Sequence, residues 1–197
     1  MKKPLYISLI ILCFSFIQVL GQSELTNDRI YNSTDFSQER FGPAKWIENG
    51  KYYTTLEDSK EHPKARDIIR YNTNSGKREV LISAASFIPS GEKQPLAIRD
   101  YSWSHNKNVL LIFTNTRRVW RRHTRGDYWI YNISTKTLKQ IGIEQPEASL
   151  MFTKFSPDDT KVAYVSKHNV YVEDLSSGKT VALTTDGTCL LYTSDAA

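Results

Sequence analysis

Five arginines crowd one short stretch of the chain, "RRVWRRHTRGDYWIYN" from Arg117 to Asn132. They occupy five of the nine positions 117–125, and the pattern of an aromatic strand follows at once. A guanidinium fork binds phosphate, carboxylate or carbonyl oxygens through charge-assisted hydrogen bonds. The stretch therefore allows three hypotheses: a nucleic-acid site, a site for the polar part of a smaller ligand, or a solvated hairpin without a ligand.

Charge and composition argue against nucleic acid. The formal charge of +5 includes two lysines in the N-terminal segment, so the rest of the chain is only mildly basic. Nucleic-acid binding favours a broad basic face with aromatic side chains free to stack on bases, whereas these arginines are confined to one predicted hairpin. We predict no nucleic-acid partner. The hypotheses of a ligand-binding hairpin and of a solvated hairpin stay open.

The first residues have the pattern of a secretory signal peptide. Two lysines precede an apolar run from Leu5 to Leu20, and the small residue Gly21 follows; this order is typical of a cleaved signal. We expect residues 1–21 to be the signal peptide and the mature chain to be exported, periplasmic or secreted, without a membrane anchor. An uncleaved N-terminal anchor is the alternative, although the apolar run is shorter than the ~20 residues of a spanning helix.

Three segments of the sequence repeat one pattern of strands and turns. Each opens on an aromatic residue, followed by a turn with Asn or Asp and a strand: "KWIENGKYYTTL", "SWSHNKNVLLIF" and "KFSPDDTKVAYV". Each continues with a strand and a second hairpin: "IIRYNTNSGKREVLI", "YWIYNISTKTLKQIG" and "VYVEDLSSGKTVALT". Asn, Asp and Gly tolerate the left-handed backbone that tight turns need. The aromatic residues at equivalent positions are Trp46, Trp103 and Phe155.

Two hairpins make a unit of four antiparallel strands, and units of this kind are typical of the blades of a β-propeller. We therefore predict an all-β fold, a partial β-propeller of about three four-stranded blades over residues 45–187, after a linker or first strand at 22–44. An ordinary antiparallel sheet protein with chance similarity between its turns is the alternative. Because a propeller ring needs at least about four blades, we expect this chain to be a fragment of a larger propeller.

Motifs for catalysis or metal binding are absent from the sequence. There is no G-x-S-x-G elbow of a serine hydrolase, and the four histidines lie in charged or turn-like stretches. There is also no H-E-x-x-H motif, no cysteine pair with metal-ligand spacing and no calcium loop. We predict no catalytic residue, no metal site and no cofactor here. The acidic neighbours Glu57 and Asp58 are predicted to lie in a solvated loop without a functional role.

Residues 46–187 resemble the N-terminal propeller of the dipeptidyl peptidase IV branch of prolyl-oligopeptidase-type serine peptidases. The stretches that carry the resemblance are "WRRHTRGDYWIYNI", "KFSPDDTKVAYVSKHNVYVEDL" and "TTDG", in this order. The specific part is "VWR" with an aromatic strand seven residues after its arginine. The motif "SPDDTKVAYV" alone is weak, because many exported propellers carry it.

The resemblance implies a function for the arginine-rich stretch. In the family, an eight-bladed propeller covers an α/β-hydrolase domain, and the arginine of the "WR" element binds the carbonyl of the substrate's N-terminal residue. Ungapped spacing gives this role to Arg121, with the strand 128–131 behind it. The neighbour Arg122 would point to the other side of the hairpin. The implied partners are a peptide substrate and the C-terminal α/β-hydrolase domain of the parent chain, and a homodimer is left open.

The implied parent is an exported serine dipeptidyl peptidase that releases Xaa-Pro or Xaa-Ala dipeptides, with the propeller gating access and anchoring the substrate N-terminus. The family's substrate-binding glutamate pair is missing, because "TCLLYTSDAA" follows Gly187. We expect residues 188–197 to be an atypical tail, with an incomplete gene sequence as one explanation. We expect the chain alone to be inactive, since it would lack the Ser/Asp/His domain. The alternative function is a non-enzymatic periplasmic propeller that scaffolds protein partners.

Overall fold

The computed structural model describes residues 24–37 and 42–188, and the chain divides into two compact units, 1–41 and 42–197. In the first unit, helix α1 (Asn27–Tyr31) begins after Thr26, whose hydroxyl accepts a hydrogen bond from the N–H of Arg29. The prediction for 22–44 did not include this helix. The predicted signal peptide and residues 189–197 of the predicted tail lie outside the described residues. Within the described segments, no helix is long and apolar enough to cross a membrane.

The second unit contains three antiparallel sheets of four strands, and in each sheet neighbouring strands follow one another along the chain. The all-β prediction of a partial propeller is therefore confirmed, and we call the sheets blades 1, 2 and 3. Blade 1 consists of β1 (Lys45–Ile47), β2 (Tyr52–Asp58), β3 (Arg66–Asn72) and β4 (Arg78–Ile82); blade 2 of β5 (Asp100–Trp103), β6 (Val109–Val119), β7 (Arg122–Asn132) and β8 (Thr137–Ile141); blade 3 of β9 (Met151–Phe155), β10 (Lys161–Ser166), β11 (Asn169–Asp174) and β12 (Thr180–Ala182).

The predicted turn residues adopt the left-handed backbone that tight turns require. Lys107 has a φ of 62° and Asp159 a φ of 57° in the first turns of blades 2 and 3. In the last hairpins of blades 1 and 3, Gly76 and Gly178 have φ values of 67° and 72°. These local signals explain why the repeat could be read from the sequence.

The three aromatic positions predicted to be equivalent occupy the same register in their blades. Each pairs with the residue seven positions later, on the second strand of its blade: Trp46 with Tyr53, Trp103 with Leu110 and Phe155 with Val162. The blades are therefore structural copies of one unit, as in other repeat proteins.

Side-chain alternation along β7 buries both faces of blade 2. Trp129 and Tyr131 pack in a hydrophobic cluster shared with blade 1, whereas Tyr128 and Ile130 pack in a cluster shared with blade 3. Successive residues of a strand point to opposite faces of the sheet, so one aromatic strand serves both clusters. Blade 2 is thereby held between its two neighbours.

Polar side chains also join neighbouring blades. Thr54 of blade 1 accepts a hydrogen bond from the hydroxyl of Tyr101 at 2.6 Å, and burial raises the pKa of Tyr101 to about 12. The Asp159 side chain of blade 3 is only 5% exposed, and its carboxylate accepts the backbone N–H groups of His105 and Asn106 of blade 2 at 2.9 and 2.8 Å. These contacts fix blade 2 from both sides.

The structure corrects the prediction for Glu57 and Asp58. Both residues belong to β2 rather than to a loop, and Asp58 lies opposite Arg66 of β3. The Glu57 carboxylate accepts hydrogen bonds from the Tyr71 hydroxyl at 2.6 Å and from Nη2 of Arg78 at 2.8 Å. Burial acts to raise the pKa of Glu57, but these hydrogen bonds outweigh it and lower the pKa. Asp58 thus has a cross-strand partner of opposite charge, whereas Glu57 lies opposite Asp67 and is held in the strand by these hydrogen bonds from the other strands of the blade.

Candidate functional site

Strands β6 and β7 extend beyond their neighbours in blade 2 and form a long hairpin. Each has eleven residues, whereas β5 has four and β8 has five. Pairing with β5 stops at Phe113, and pairing with β8 starts at Tyr128. Residues 114–127, which we call the arm, therefore project past the sheet, and all five arginines of the arginine-rich stretch lie on it.

Arg121 lies at the tip of the arm. Val119 pairs with Arg122, so the connection between the strands is the two-residue turn of Trp120 and Arg121. Trp120 is 93% exposed and has a φ of 58°, and its carbonyl accepts a hydrogen bond from Nε of Arg118 at 3.2 Å. A left-handed backbone costs a bulky residue about 1–2 kcal/mol. Strain of this kind is concentrated at binding and catalytic sites.

The arginines of the arm are all exposed. Within residues 24–37 and 42–188, no ion pair joins any of them to an aspartate or a glutamate. Arg118 already donates through Nε to the Trp120 carbonyl, and the exposed guanidinium groups make the arm a concentrated region of positive charge that an external acceptor can reach. The arginines are Arg117, Arg118, Arg121, Arg122 and Arg125.

The base of the arm is held by two buried residues of β7. Gly126 exchanges two backbone hydrogen bonds with Leu150, at 3.1 and 3.0 Å. The carboxylate of Asp127, a residue that is 9% exposed, accepts the backbone N–H of Ala148 at 2.7 Å and the side-chain amide of Asn115 at 2.8 Å. These contacts tie the arm to the segment between blades 2 and 3, so an exposed tip stands on a fixed base.

A glycine is required at position 126 by close packing. A Cβ atom there would lie 2.4 Å from Cε2 of Phe113 and 2.7 Å from the carbonyl oxygen of Thr114. The Phe113 ring in turn stacks on Tyr128, with ring centroids 4.6 Å apart. Burial raises the pKa of Tyr128 to about 12, so this ring stays neutral at physiological pH. This stacked pair packs the first residue of the aromatic stretch 128–131 against the strand β6 at the base of the arm; that the stretch supports Arg121 stays a prediction.

The sequence placed the candidate residue Arg121 in a hairpin, and the structure has it at the hairpin's tip. Its role in substrate binding stays a prediction. Sequence reasoning missed Asp127 and Asn115, which hold the arm. The one available signal was the change from basic to aromatic residues at Gly126. In the described segments, no group of three or more His, Cys, Asp or Glu side chains is arranged to hold a metal ion.

Comparisons with known sequences point to one family. Residues 104–195 match the family model described as the dipeptidyl peptidase IV (DPP IV) N-terminal region. The chain is 28% identical over 181 residues to dipeptidyl aminopeptidase B of Saccharomyces cerevisiae, which covers 87% of this chain and 20% of the yeast protein. It is 32% identical over 89 residues to a probable dipeptidyl-aminopeptidase B of Aspergillus niger, which covers 45% of this chain and 10% of that protein.

The fold also matches a solved structure. The crystal structure of Porphyromonas gingivalis dipeptidyl peptidase 4 aligns with a TM-score of 0.68 and 24% sequence identity, over 85% of this chain and 23% of that chain. The chain spans 20% of the length of the yeast relative and 10% of the length of the Aspergillus niger relative. Three four-stranded blades, the family match over residues 104–195 and the related sequences together support a dipeptidyl peptidase IV-like N-terminal region in this chain.

Proposed function

We propose that this chain is the N-terminal propeller part of an exported serine dipeptidyl peptidase, which releases Xaa-Pro and Xaa-Ala dipeptides from peptide N-termini. The observation that carries the proposal is the position of Arg121, at the exposed tip of an arm whose base is fixed by buried contacts. Both of these relatives carry the name dipeptidyl aminopeptidase B, which supports the same class of reaction.

In this proposal, Arg121 binds the carbonyl oxygen of the substrate's N-terminal residue. A hydrogen bond from a charged donor contributes about 1.5–3 kcal/mol, and a donor on a fixed base orients the peptide at little entropic cost. An anchor at a fixed distance from the nucleophile also selects which peptide bond is cut. Holding the first residue presents the second peptide bond and explains the release of dipeptides.

The blades gate access in the proposed enzyme. The catalytic serine, histidine and aspartate belong to an α/β-hydrolase domain of the parent chain, and the propeller covers the cavity between the two domains. A folded protein is too wide to enter such a cavity, whereas an extended N-terminus reaches the tip of the arm. The close packing of blade 2 against both neighbours supports this role, because a gate must keep its shape.

The proposed reaction is tested with the full-length protein that contains this chain. Mass spectrometry should detect release of Gly-Pro from a peptide with a free Gly-Pro N-terminus, and a fluorophosphonate should label one serine and abolish the release. A full-length protein that releases no dipeptide and takes no label would overturn the proposal and favour a propeller that scaffolds protein partners.

Export is a separate part of the proposal, supported by the N-terminal sequence. N-terminal sequencing of the protein recovered from the periplasm or the medium should start at Gln22. A protein that retains Met1 and sediments with membranes would show an uncleaved anchor instead.

A further inference from the structure

The arm carries a second cationic feature, separate from its tip. Arg117 of β6 and Arg125 of β7 are direct cross-strand partners. Cross-strand partners lie on the same face of a sheet, with Cβ atoms about 4.5–5.5 Å apart, and like charges in these positions destabilise the pair. An ordinary solvated hairpin gains nothing from this arrangement, so the pair calls for an explanation.

The strand register is irregular on both sides of this pair. The pairing shifts once between Thr114 and Arg117 and again between Arg117 and Arg118. Bulges insert an extra residue, re-aim side chains and are frequent next to binding sites. Two shifts close together place the two arginines opposite each other and restore the regular register toward the tip.

Carboxylates at the base of the arm are engaged elsewhere. The amide of Asn115 donates to the carboxylate of Asp127 at 2.8 Å and to that of Glu147 at 2.7 Å. In the described parts of the chain, neither carboxylate forms an ion pair with Arg117 or Arg125. Within the described residues, the chain thus places two arginines opposite each other and forms no ion pair with either of them.

We propose that Arg117 and Arg125 bind the acidic side chains of a peptide substrate beyond its N-terminal dipeptide. This inference rests on the proposed function, which places the substrate N-terminus at Arg121. The pair lies three to four residues from the tip turn, or about 10–13 Å at about 3.3 Å per strand residue. An extended substrate bound along the arm reaches the pair with its fourth or fifth residue. Planar guanidinium forks match carboxylates bidentately, and a bound carboxylate removes the repulsion within the pair.

The inference is tested by comparing two peptides in the full-length protein, Gly-Pro-Ser-Glu-Glu-Ser and its neutral analogue Gly-Pro-Ser-Gln-Gln-Ser. We expect kcat/KM to be about three- to tenfold higher for the acidic peptide, the effect of a few exposed ion pairs. Raising the salt concentration from about 0.05 M to about 0.5 M should reduce this preference, because salt screens exposed charges. The double variant Arg117→Gln/Arg125→Gln should lose the preference and retain its kcat/KM for the neutral peptide.

A matched control distinguishes the effect of the Arg117–Arg125 pair from the effect of the total positive charge of the arm. The double variant Arg118→Gln/Arg122→Gln removes the same net charge from the arm but leaves the pair intact, so it should keep the preference for the acidic peptide. An equal loss of preference in both double variants, or no preference in the wild type, would overturn the inference. Removing the like-charge pair should also raise Tm at low salt, which shows that the variant is folded.

Direct binding distinguishes failure of this inference from failure of the proposed function. A fluorescently labelled, N-acetylated Ser-Glu-Glu-Ser peptide is titrated with the full-length protein, and its anisotropy is compared with that of the Ser-Gln-Gln-Ser analogue. If no dipeptide is released but the acidic peptide binds more tightly through Arg117 and Arg125, the proposed function fails and the anion-binding pair stands. If dipeptides are released without charge preference, the pair fails and the proposed function stands.

Discussion

The carboxylate of Asp127 accepts the backbone N–H of Ala148 at 2.7 Å, across the base of the arm. Blade 1 has the same contact, where the carboxylate of Asp67 accepts the N–H of Ala84 at 2.7 Å. Each aspartate is buried on the third strand of its blade and binds the segment that follows the fourth strand. The same hydrogen bond thus occurs in both blades, and in blade 2 it also holds the base of the arm.

Loss of the Asp127 carboxylate should weaken the fold and loosen the arm. In Asp127→Ala, the buried N–H of Ala148 loses its acceptor, which costs about 1–3 kcal/mol. We expect urea denaturation to show a decrease of this size in the free energy of unfolding, and hydrogen exchange to become faster in residues 114–127. The matched variant Asp67→Ala should lose similar stability without faster exchange in the arm. Equal rates of hydrogen exchange in residues 114–127 of the two variants would show that Asp127 does not hold the arm.

A methyl group at position 126 should be poorly tolerated. In Gly126→Ala, the new Cβ meets Phe113 and the backbone of Thr114 at distances shorter than contact, so the strand or the ring must move. Overpacking of this kind costs about 1–3 kcal/mol. We expect lower stability in urea denaturation, together with a lower kcat/KM of the full-length protein for the proposed reaction, because the arm is displaced.

The control for this effect is Gly76→Ala, a position with a φ of 67° and open space around the added Cβ. It should lose stability through backbone strain alone and leave kcat/KM unchanged. If Gly126→Ala also leaves kcat/KM unchanged, then the position of the arm does not matter for activity.

Acid should weaken the contact between blades 2 and 3. Burial acts to raise the pKa of Asp159, but the backbone N–H donors of Asn106 and His105, together with the His105 ring, outweigh it and lower the pKa. A carboxylate with a lowered pKa stabilises the fold above its unfolded pKa of about 3.9. This stabilisation is lost as the pH falls through the lower folded pKa. Below about pH 4, the free energy of unfolding should therefore fall less steeply in Asp159→Asn than in the wild type.

The measurement is urea denaturation at a series of pH values, with His105→Gln as the control. This variant removes the His105 ring that contacts the Asp159 carboxylate at 2.8 Å but keeps the backbone donors of His105 and Asn106, so it should lose only part of the acid sensitivity that Asp159→Asn loses. Identical pH dependence in the wild type and Asp159→Asn would exclude Asp159 as a source of that sensitivity.

Local signals made the blades predictable from the sequence. Positive-φ turn residues such as Lys107 and Asp159 and the alternation of Tyr128 to Tyr131 are encoded within a few positions, and each matched the structure. The prediction of a loop for Glu57 and Asp58 was wrong because the residues that contact these two carboxylates lie on other strands. A run of mixed charges looks like a loop until the cross-strand neighbours are known.

The candidate site was predictable only in part. The resemblance picked out Arg121, and the hairpin pattern placed it near a turn. The contact of Asp127 with Ala148 joins residues 21 positions apart, and a side chain that binds a distant backbone group leaves no periodic pattern. The two register shifts beside Arg117 were equally hidden, since a bulge depends on how two strands pair rather than on either strand alone.

The role of Arg121 is tested most directly by kcat/KM of the full-length protein on a neutral Gly-Pro p-nitroanilide, with Arg121→Ala and Arg122→Ala beside the wild type. Loss of a charge-assisted hydrogen bond of about 1.5–3 kcal/mol corresponds to a decrease of about 10- to 150-fold. We predict this decrease for Arg121→Ala and a change of less than about threefold for Arg122→Ala, whose loss removes the same charge. Equal values for the two variants, whether both unchanged or both reduced, would contradict the assignment of Arg121 as the substrate-binding arginine.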